Sequence, residues 1–291
     1  MKPVALVCLT VFCIPILCLA GDLNQGRDAD GDGAPDATVT ARGRYVLPMI
    51  PPASLLIDRA HGGDFDLGGL TDFLTSQGWT VDELTSPVTV EALAGYDVFL
   101  IPSKVGGLGE FPSIDPYSPA ESEAVLAFVE ADHGLWCLSE YKRDPSGVNS
   151  VAGQFGVSFN DDVVLDPEYN VNGDPVWPLI QAIDFHPITE GVSSFGYYAG
   201  CCVGTESPAF AVATGSSYAS SNNCFDYPPV LTVYQNGGRA VFCGDGTPLY
   251  PGYETTEGNW QLIANIAEWL ATGQVVGTES MSWGDVKSLY R

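Results

Sequence analysis

The chain has 291 residues, with 11 Lys or Arg against 36 Asp or Glu and a formal net charge of −25. A field of that sign repels nucleic acid and anionic lipid, which excludes polyanionic partners, and it attracts divalent cations. Solubility is the plainest use of such charge, and a specific role needs a local pattern.

The first local pattern is a leader. Lys2 precedes an apolar core over residues 4–19, and Cys18 and Ala20 put small residues where a signal peptidase reads, so a signal peptide is predicted over residues 1–20 with Gly21 as the mature start. A membrane anchor is the alternative, but the core is shorter than the roughly 20 residues of a spanning helix and holds Pro15. Neither Cys13 nor Cys18 follows the small-residue pair of a lipoprotein signal. The expectation is an exported protein, secreted, periplasmic or at the cell surface, with no integral membrane segment after cleavage. Loss of Lys2 takes the formal charge to −26, and three of the eight cysteines leave with the leader. Cys137, Cys201, Cys202, Cys224 and Cys243 remain, an odd number in an oxidising compartment. Cys201 or Cys202 with Cys224 is the expected bridge, since both flank a loop-rich stretch. Cys137 and Cys243 sit inside predicted core strands, where a free thiol behaves as a small apolar group.

Residues 21–44 read as a polar tether rich in Gly and Asp. Within it, Asp28, Asp30, Asp32, Gly33 and Asp36 match the first part of a calcium loop, with carboxylates at alternate positions, glycine at the sixth and a carboxylate at the ninth. The match ends at the twelfth position, where Val39 stands instead of a bidentate Glu. Weak Ca²⁺ binding through Asp28, Asp30, Asp32 and Asp36 is the expectation, and a solvated acidic linker is the alternative. The string resembles the shortened aspartate-rich repeats of thrombospondin type 3.

One α/β domain is expected over residues 45–272. A strand at Ser54–Asp58 precedes a helix at 67–77, whose Leu67, Leu70, Phe73 and Leu74 fall on one face; a strand at 79–84 and a helical turn at 90–94 follow. After a strand at 97–102 comes the best-marked helix, with Ser118 as N-cap, Pro119 at its first position and Glu121 and Glu123 at the positive end of its dipole. Gly134 is expected to end that helix before a strand at 135–139. From 160 to 234 the pattern becomes short β-like runs with many Gly, Pro, Ser and Asn, an elaboration with antiparallel pairs. A strand at 239–244 and a helix at 260–270 close the domain. Residues 273–291 look like a tail in which Trp283, Val286, Leu289 and Tyr290 form an amphipathic turn or two.

Four of these strands are unbroken apolar runs that stop on a polar residue: Leu55 to Ile57 on Asp58, Val98 to Ile101 on Ser103, Leu135 to Leu138 on Glu140, and Ala240 to Cys243 on Asp245. Unalternating runs mark strands buried on both faces, as in parallel sheets, and ligands in such sheets sit beyond the carboxyl ends of the strands. A ligand-binding rim of Asp58, His61, Ser103, Glu140, His186 and Asp245 is therefore expected. If the protein is an enzyme, Asp58, His61, Glu140 and Asp245 are the acid–base candidates, for example on a glycosidic bond. His61 with Asp64 and Asp66 offers a second metal set. The competing roles are structural: Asp58 and Asp245 as helix caps or loop acceptors, and His186, before Pro187, as a turn residue. Trp136, Tyr141, Trp177, Tyr197 and Tyr198 have the rings to stack a sugar, although most suit a core.

Taken with Asp58 and His61, the run from His186 to Val192, the run from Gly237 to Asp245, and Asn259, Trp260, Asn265, Ile266, Trp269 and Leu270 occur in an order that resembles exported domains of unknown function in the class I glutamine amidotransferase-like superfamily. These are similar to the domain shared by gliding-motility and intraflagellar-transport proteins. The resemblance covers roughly residues 54–270 and implies a flavodoxin-like three-layer sandwich with a mainly parallel sheet. It does not bring the amidotransferase activity. That chemistry needs a cysteine on a glycine-flanked elbow beside a histidine, and neither Cys137 nor Cys243 has that setting. The leading expectation is a non-catalytic binding or scaffolding domain, with a carbohydrate or a partner protein as ligand and no organic cofactor. A hydrolase acting on polysaccharide or glycoconjugate is the alternative, and retention at the surface through the tail is a third.

Overall fold

The computed structural model describes residues 50–104, 113–140, 144–249 and 258–273. The leader, the tether with Asp28, Asp30, Asp32 and Asp36, Tyr141, and the tail beyond Gly273 lie outside the described residues.

The first half alternates strand and helix: β1 (Ser54–Asp58), α1 (Gly68–Ser76), β2 (Thr80–Leu84), α2 (Val90–Leu93), β3 (Val98–Ile101), α3 (Pro119–Glu130), β4 (Gly134–Leu138) and α4 (Ser146–Ala152). Short strands follow: β5 (Val157–Phe159), β6 (Leu179–Ile180), β7 (Ala182–Ile183), β8 (Phe195–Gly196), β9 (Val203–Thr205), β10 (Phe210–Thr214) and β11 (Pro229–Tyr234). The domain closes with β12 (Arg239–Cys243) and α5 (Asn259–Thr272).

One eight-stranded sheet runs in the order β2-β1-β3-β4-β12-β11-β10-β7. β2, β1, β3, β4 and β12 are parallel, and β11, β10 and β7 extend the sheet by antiparallel pairing. The register aligns the four apolar runs: Ile57 lies beside Leu100, Ile101 beside Cys137, and Cys137 beside Phe242. They point the same way and finish at a common edge, as their lack of alternation requires.

That lack of alternation is explained by two cores, one on each face. Leu55, Ile57, Leu100, Trp136 and Val241 pack with α1 and α5 through Leu70, Phe73, Leu74, Leu262, Ile266 and Trp269. The intervening Leu56, Phe99, Ile101, Leu135, Cys137 and Phe242 pack on the other face with Val125, Phe128 and Val129 of α3 and Val148 and Val151 of α4. The result is the expected three-layer sandwich. β2, at the sheet's edge, keeps only Leu84 buried and turns Asp82 and Glu83 to solvent, which discourages edge pairing with another chain.

One local expectation changes. Helix α3 ends at Ala131, and the chain reverses at Asp132, which takes a left-handed φ of 73°; Gly134 is already the first residue of β4. Gly134 is needed for contact instead, since a Cβ there would lie 2.6 Å from the Leu270 backbone oxygen of α5. Helix α4 carries the Asn149 side chain that donates to the Phe159 carbonyl at 3.0 Å and accepts from its N–H at 2.8 Å.

Candidate functional site

The carboxyl edge of the parallel strands separates into two groups. Neighbouring strands lie about 4.8 Å apart, so Asp58 at the end of β1 is roughly 10 Å from the β4 line and roughly 14 Å from the β12 line. Glu140 and Asp245 follow adjacent strands and share one environment, while Asp58 belongs to another.

Around Asp58 the side chains close on one another. Asp58 is 1% exposed; it accepts the Ala60 N–H at 2.9 Å, the Tyr117 hydroxyl, and His61 Nδ1 at 2.8 Å. The far side of the imidazole, Nε2, lies 3.4 Å from Glu121 Oε1. Tyr117 stacks on the ring with centroids 3.7 Å apart and planes 17° from parallel. Two carboxylates facing the ring favour its protonated form. Burial works against that charge, but the hydrogen bond and charge of Asp58, with Glu121 behind them, outweigh it and raise the His61 pKa above 6.5. Tyr117, fully buried and beside Asp58, is held far above the ordinary phenol range. Glu121 is itself fixed by a capping box: its N–H donates to Ser118 Oγ at 3.3 Å, its carboxylate accepts the Ser118 N–H at 2.9 Å, and the Val88 N–H adds a bond of 3.2 Å. Burial pushes the Glu121 pKa up, but the bonds from Ser118 and Val88 and the charge of His61 prevail and lower it.

His61 is thus held between two carboxylates, its Nδ1 bonded to Asp58 and its Nε2 facing Glu121. The proposed set of His61 with Asp64 and Asp66 does not form. Asp64 and Asp66 are exposed, and Asp66 accepts the Gly68 N–H at 2.9 Å at the start of α1.

At the ends of β4 and β12, Glu140 and Asp245 are buried with Tyr197, Cys201 and Cys243. Asp245 accepts the N–H of Tyr198 at 2.6 Å and of Thr247 at 2.7 Å, and so ties two loops together. Burial raises its pKa to about 7, against the pull of those N–H groups. Tyr197 donates to the Cys201 carbonyl at 2.5 Å. Gly244 lets that bond form, since a Cβ there would lie 2.2 Å from the same carbonyl. None of the three free cysteines is poised as a thiolate: burial lifts Cys201 to about 12 and Cys137 and Cys243 well above the ordinary thiol range.

Ser103 lies between the two groups, 4% exposed, and its hydroxyl makes no hydrogen bond among the described residues. It lines a cavity of about 10 Å³ with Ser113, Leu138, Ser139 and Asp144. That is room for one water, whereas ligand pockets run from roughly 300 to 1,000 Å³.

His186 is not on this edge. Its Nε2 lies 3.3 Å from Gln235 Oε1, its Nδ1 accepts the Ile188 N–H at 3.2 Å, and its ring meets Trp269 edge-on at 4.9 Å. Gln235 follows β11, which runs against β12, so His186 sits at the amino ends of the parallel strands. It is the turn residue that its position before Pro187 suggests, and burial lowers its pKa. Of the aromatics considered for stacking, Trp136 and Tyr197 are core residues.

Sequence reasoning missed Tyr117 and Glu121. The signal for Glu121 was present, since Ser118 with Glu three positions on is a capping box, but nothing local tells that the same carboxylate reaches His61. The bridge is Cys202 to Cys224. Among the described residues, the metal-ligand atoms that converge belong to Asp162 and these two cysteines, whose sulfurs are joined. Asp162 accepts the Cys202 N–H at 2.9 Å and the Ser221 hydroxyl at 2.5 Å.

No family model and no curated protein matches the chain. Among solved structures it is similar to the mmIFT52 N-terminal domain, at 19% identity over 76% of this chain and 99% of that one, with a TM-score of 0.63. A putative ThuA-like protein from Bacteroides uniformis aligns at 14% identity over 80% of this chain and 98% of that one, TM-score 0.48. A putative GMP synthase protein from Thermoplasma acidophilum aligns at 11% over 76% and 95%, TM-score 0.49. Such identities speak to fold alone. With the sheet order above, the likeness to the first of these supports the flavodoxin-like three-layer architecture expected from the sequence. No helix of the described residues is long and apolar enough to cross a membrane.

Proposed function

We propose that this chain is an exported binding or scaffolding domain that keeps the amidotransferase-like fold without catalysis at its strand ends. The observation that carries the reading is the His61 clamp: the one histidine on the edge has both nitrogens committed to carboxylates, Asp58 at 2.8 Å and Glu121 at 3.4 Å. A general base needs a free lone pair within reach of the proton it takes. The buried, protonated cysteines and the water-sized cavity point the same way.

The test compares wild type with Asp58→Asn and Asp245→Asn on polysaccharide and glycoconjugate substrates. Absence of turnover in all three supports the reading; turnover in wild type that either variant abolishes establishes the hydrolase instead. Export rests on the leader, and detection of a mature chain beginning at Gly21 tests it. Weak calcium binding by the acidic string is part of the same proposal.

A further inference from the structure

The region that differs most from the strand-end edge is the β-rich elaboration. From Asp144 to Gly238 the sequence holds ten Asp or Glu and no Lys or Arg. Seven of the eight exposed large hydrophobic residues among those described fall in the same stretch: Leu165, Tyr169, Phe185, Phe210, Tyr218, Phe225 and Tyr227.

Five of them belong to one loop cluster. Leu165 and Ser220 exchange backbone hydrogen bonds of 2.9 and 3.0 Å, and Ser220 pairs in turn with Phe225. Partners across antiparallel bridges share a face, so Leu165, Ser220 and Phe225 stand on one side, and exposed Tyr218 lies in the turn just before Ser220. The residues between point inward, with Ala219 and Ser221 both buried. Tyr169 comes alongside, its ring 6.0 Å from that of Tyr218. The exposures are 45% for Tyr169, 56% for Tyr218, 73% for Phe225 and 54% for Tyr227.

The cluster is held firmly from below. Asp166 accepts the Glu168 and Tyr169 N–H groups and, at 2.6 Å, the Ser216 hydroxyl, which in turn accepts the Tyr218 N–H at 3.0 Å. The Cys202–Cys224 disulfide anchors the turn before Phe225. Asp226 and Tyr227 both take left-handed backbone, φ 46° and 60°, a conformation that non-glycine residues adopt uncommonly and that here turns Tyr227 outward. Exposed Glu168 adjoins Tyr169, and exposed Asp226 lies between Phe225 and Tyr227.

We infer that this face binds a cationic peptide segment of a partner protein, with Arg or Lys side chains laid on the rings of Tyr169, Tyr218, Phe225 and Tyr227 and paired with Glu168 and Asp226. Charge complementarity selects that occupant. Exposed Glu168 and Asp226 beside the rings, in a stretch with no Lys or Arg, favour a basic segment, and aromatic faces add a short-range preference for cations that an acidic loop alone lacks. The loop backbone beneath the rings is already held, so less of it must be ordered on binding. This inference rests on the reading of the domain as a binding module and names the class of its ligand.

The test is fluorescence anisotropy of the purified full chain with a labelled twelve-residue Arg- and Lys-rich peptide, alongside its Gln-substituted counterpart and a neutral oligosaccharide. Binding to the basic peptide alone, weakening as salt rises from 50 to 300 mM, is the expected result. The decisive variant is Tyr218→Ser with Phe225→Ser, which leaves the net charge unchanged; binding should weaken about tenfold, from a few-fold per ring. Glu168→Gln should weaken it about twofold, and Val90→Ser, on a distant exposed helix, should change nothing. Near-ultraviolet circular dichroism checks that the double variant keeps its fold. Should it not, Tyr169→Ser alone carries the same comparison. Equal binding by wild type and ring variants would reduce the attraction to the overall field and overturn the inference, as would a preference for the oligosaccharide. Failure of the peptide to bind also overturns this face, yet leaves the absence of turnover, and so the non-catalytic reading, standing.

Discussion

Two acidic regions of this molecule use their carboxylates in opposite ways. At the end of β1, Asp58 and Glu121 are spent on a buried imidazolium and on loop N–H groups. In the elaboration, Asp166 and Asp162 are likewise bound to their own loops, but Glu168 and Asp226 are exposed beside exposed rings. The first arrangement gives rigidity and the second a surface. A strand-end carboxylate is therefore evidence of a site only when its hydrogen bonds leave it something to offer.

The largest expected effect comes from breaking the clamp. Asp58→Ala leaves the buried His61 ring and the Tyr117 hydroxyl without their shared acceptor, and should cost about 3–5 kcal/mol in urea unfolding. A loss below 1 kcal/mol would mean that the imidazole is neutral and the clamp weak. Next is the disulfide. Cys202 and Cys224 are 22 residues apart, and replacing both with Ser should cost about 2–4 kcal/mol, loosening the aromatic face more than the parallel core. Amide exchange that rises around residues 218–227 while β1, β3 and β4 stay protected is the expected pattern.

The pH dependence sharpens the contrast further. Asp245, raised from 3.8 to about 7, binds its proton more tightly when folded, so its contribution is fully present below the unfolded value and is lost as pH rises toward 7. His61, also raised, adds a loss that begins above 6.5. Glu121, lowered from 4.5, contributes stability above its unfolded value and loses it in acid. Stability should therefore decline from mildly acid to neutral pH, by at most about 1.4 kcal/mol per unit for each group, and Asp245→Asn should flatten the part between 4 and 7. The smallest effect is that of the helix cap: Ser118→Ala should cost about 1 kcal/mol and, by releasing Glu121, lower the His61 pKa. In the tether, calorimetric heat on adding calcium, lost in Asp30→Ala, would support the acidic string, and no heat would remove it.

Much of this architecture is legible before any coordinates. The four apolar runs and the Ser118–Pro119 helix start are local patterns, and each has the position expected of it. What was hidden depends on long-range register. Glu121 is 60 residues from His61 and meets it only because α3 starts above the end of β1. His186 was grouped with the others for its residue type, but the reversed direction of β11 carries its partner Gln235 to the opposite edge. The exposed rings were overlooked for a similar reason, since an aromatic among Ser, Gly and Asn reads as loop packing until the bridges of Leu165, Ser220 and Phe225 place the side chains on one face.

The most direct measurement is a nitrogen-detected NMR titration of His61 in the intact chain. This account predicts hydrogens on both ring nitrogens at pH 6.5, an apparent pKa above that value, and a shift to lower pKa in Glu121→Gln. A neutral ring with one unprotonated nitrogen at pH 6.5, titrating below it, would contradict the clamp and reopen the strand ends as a catalytic site.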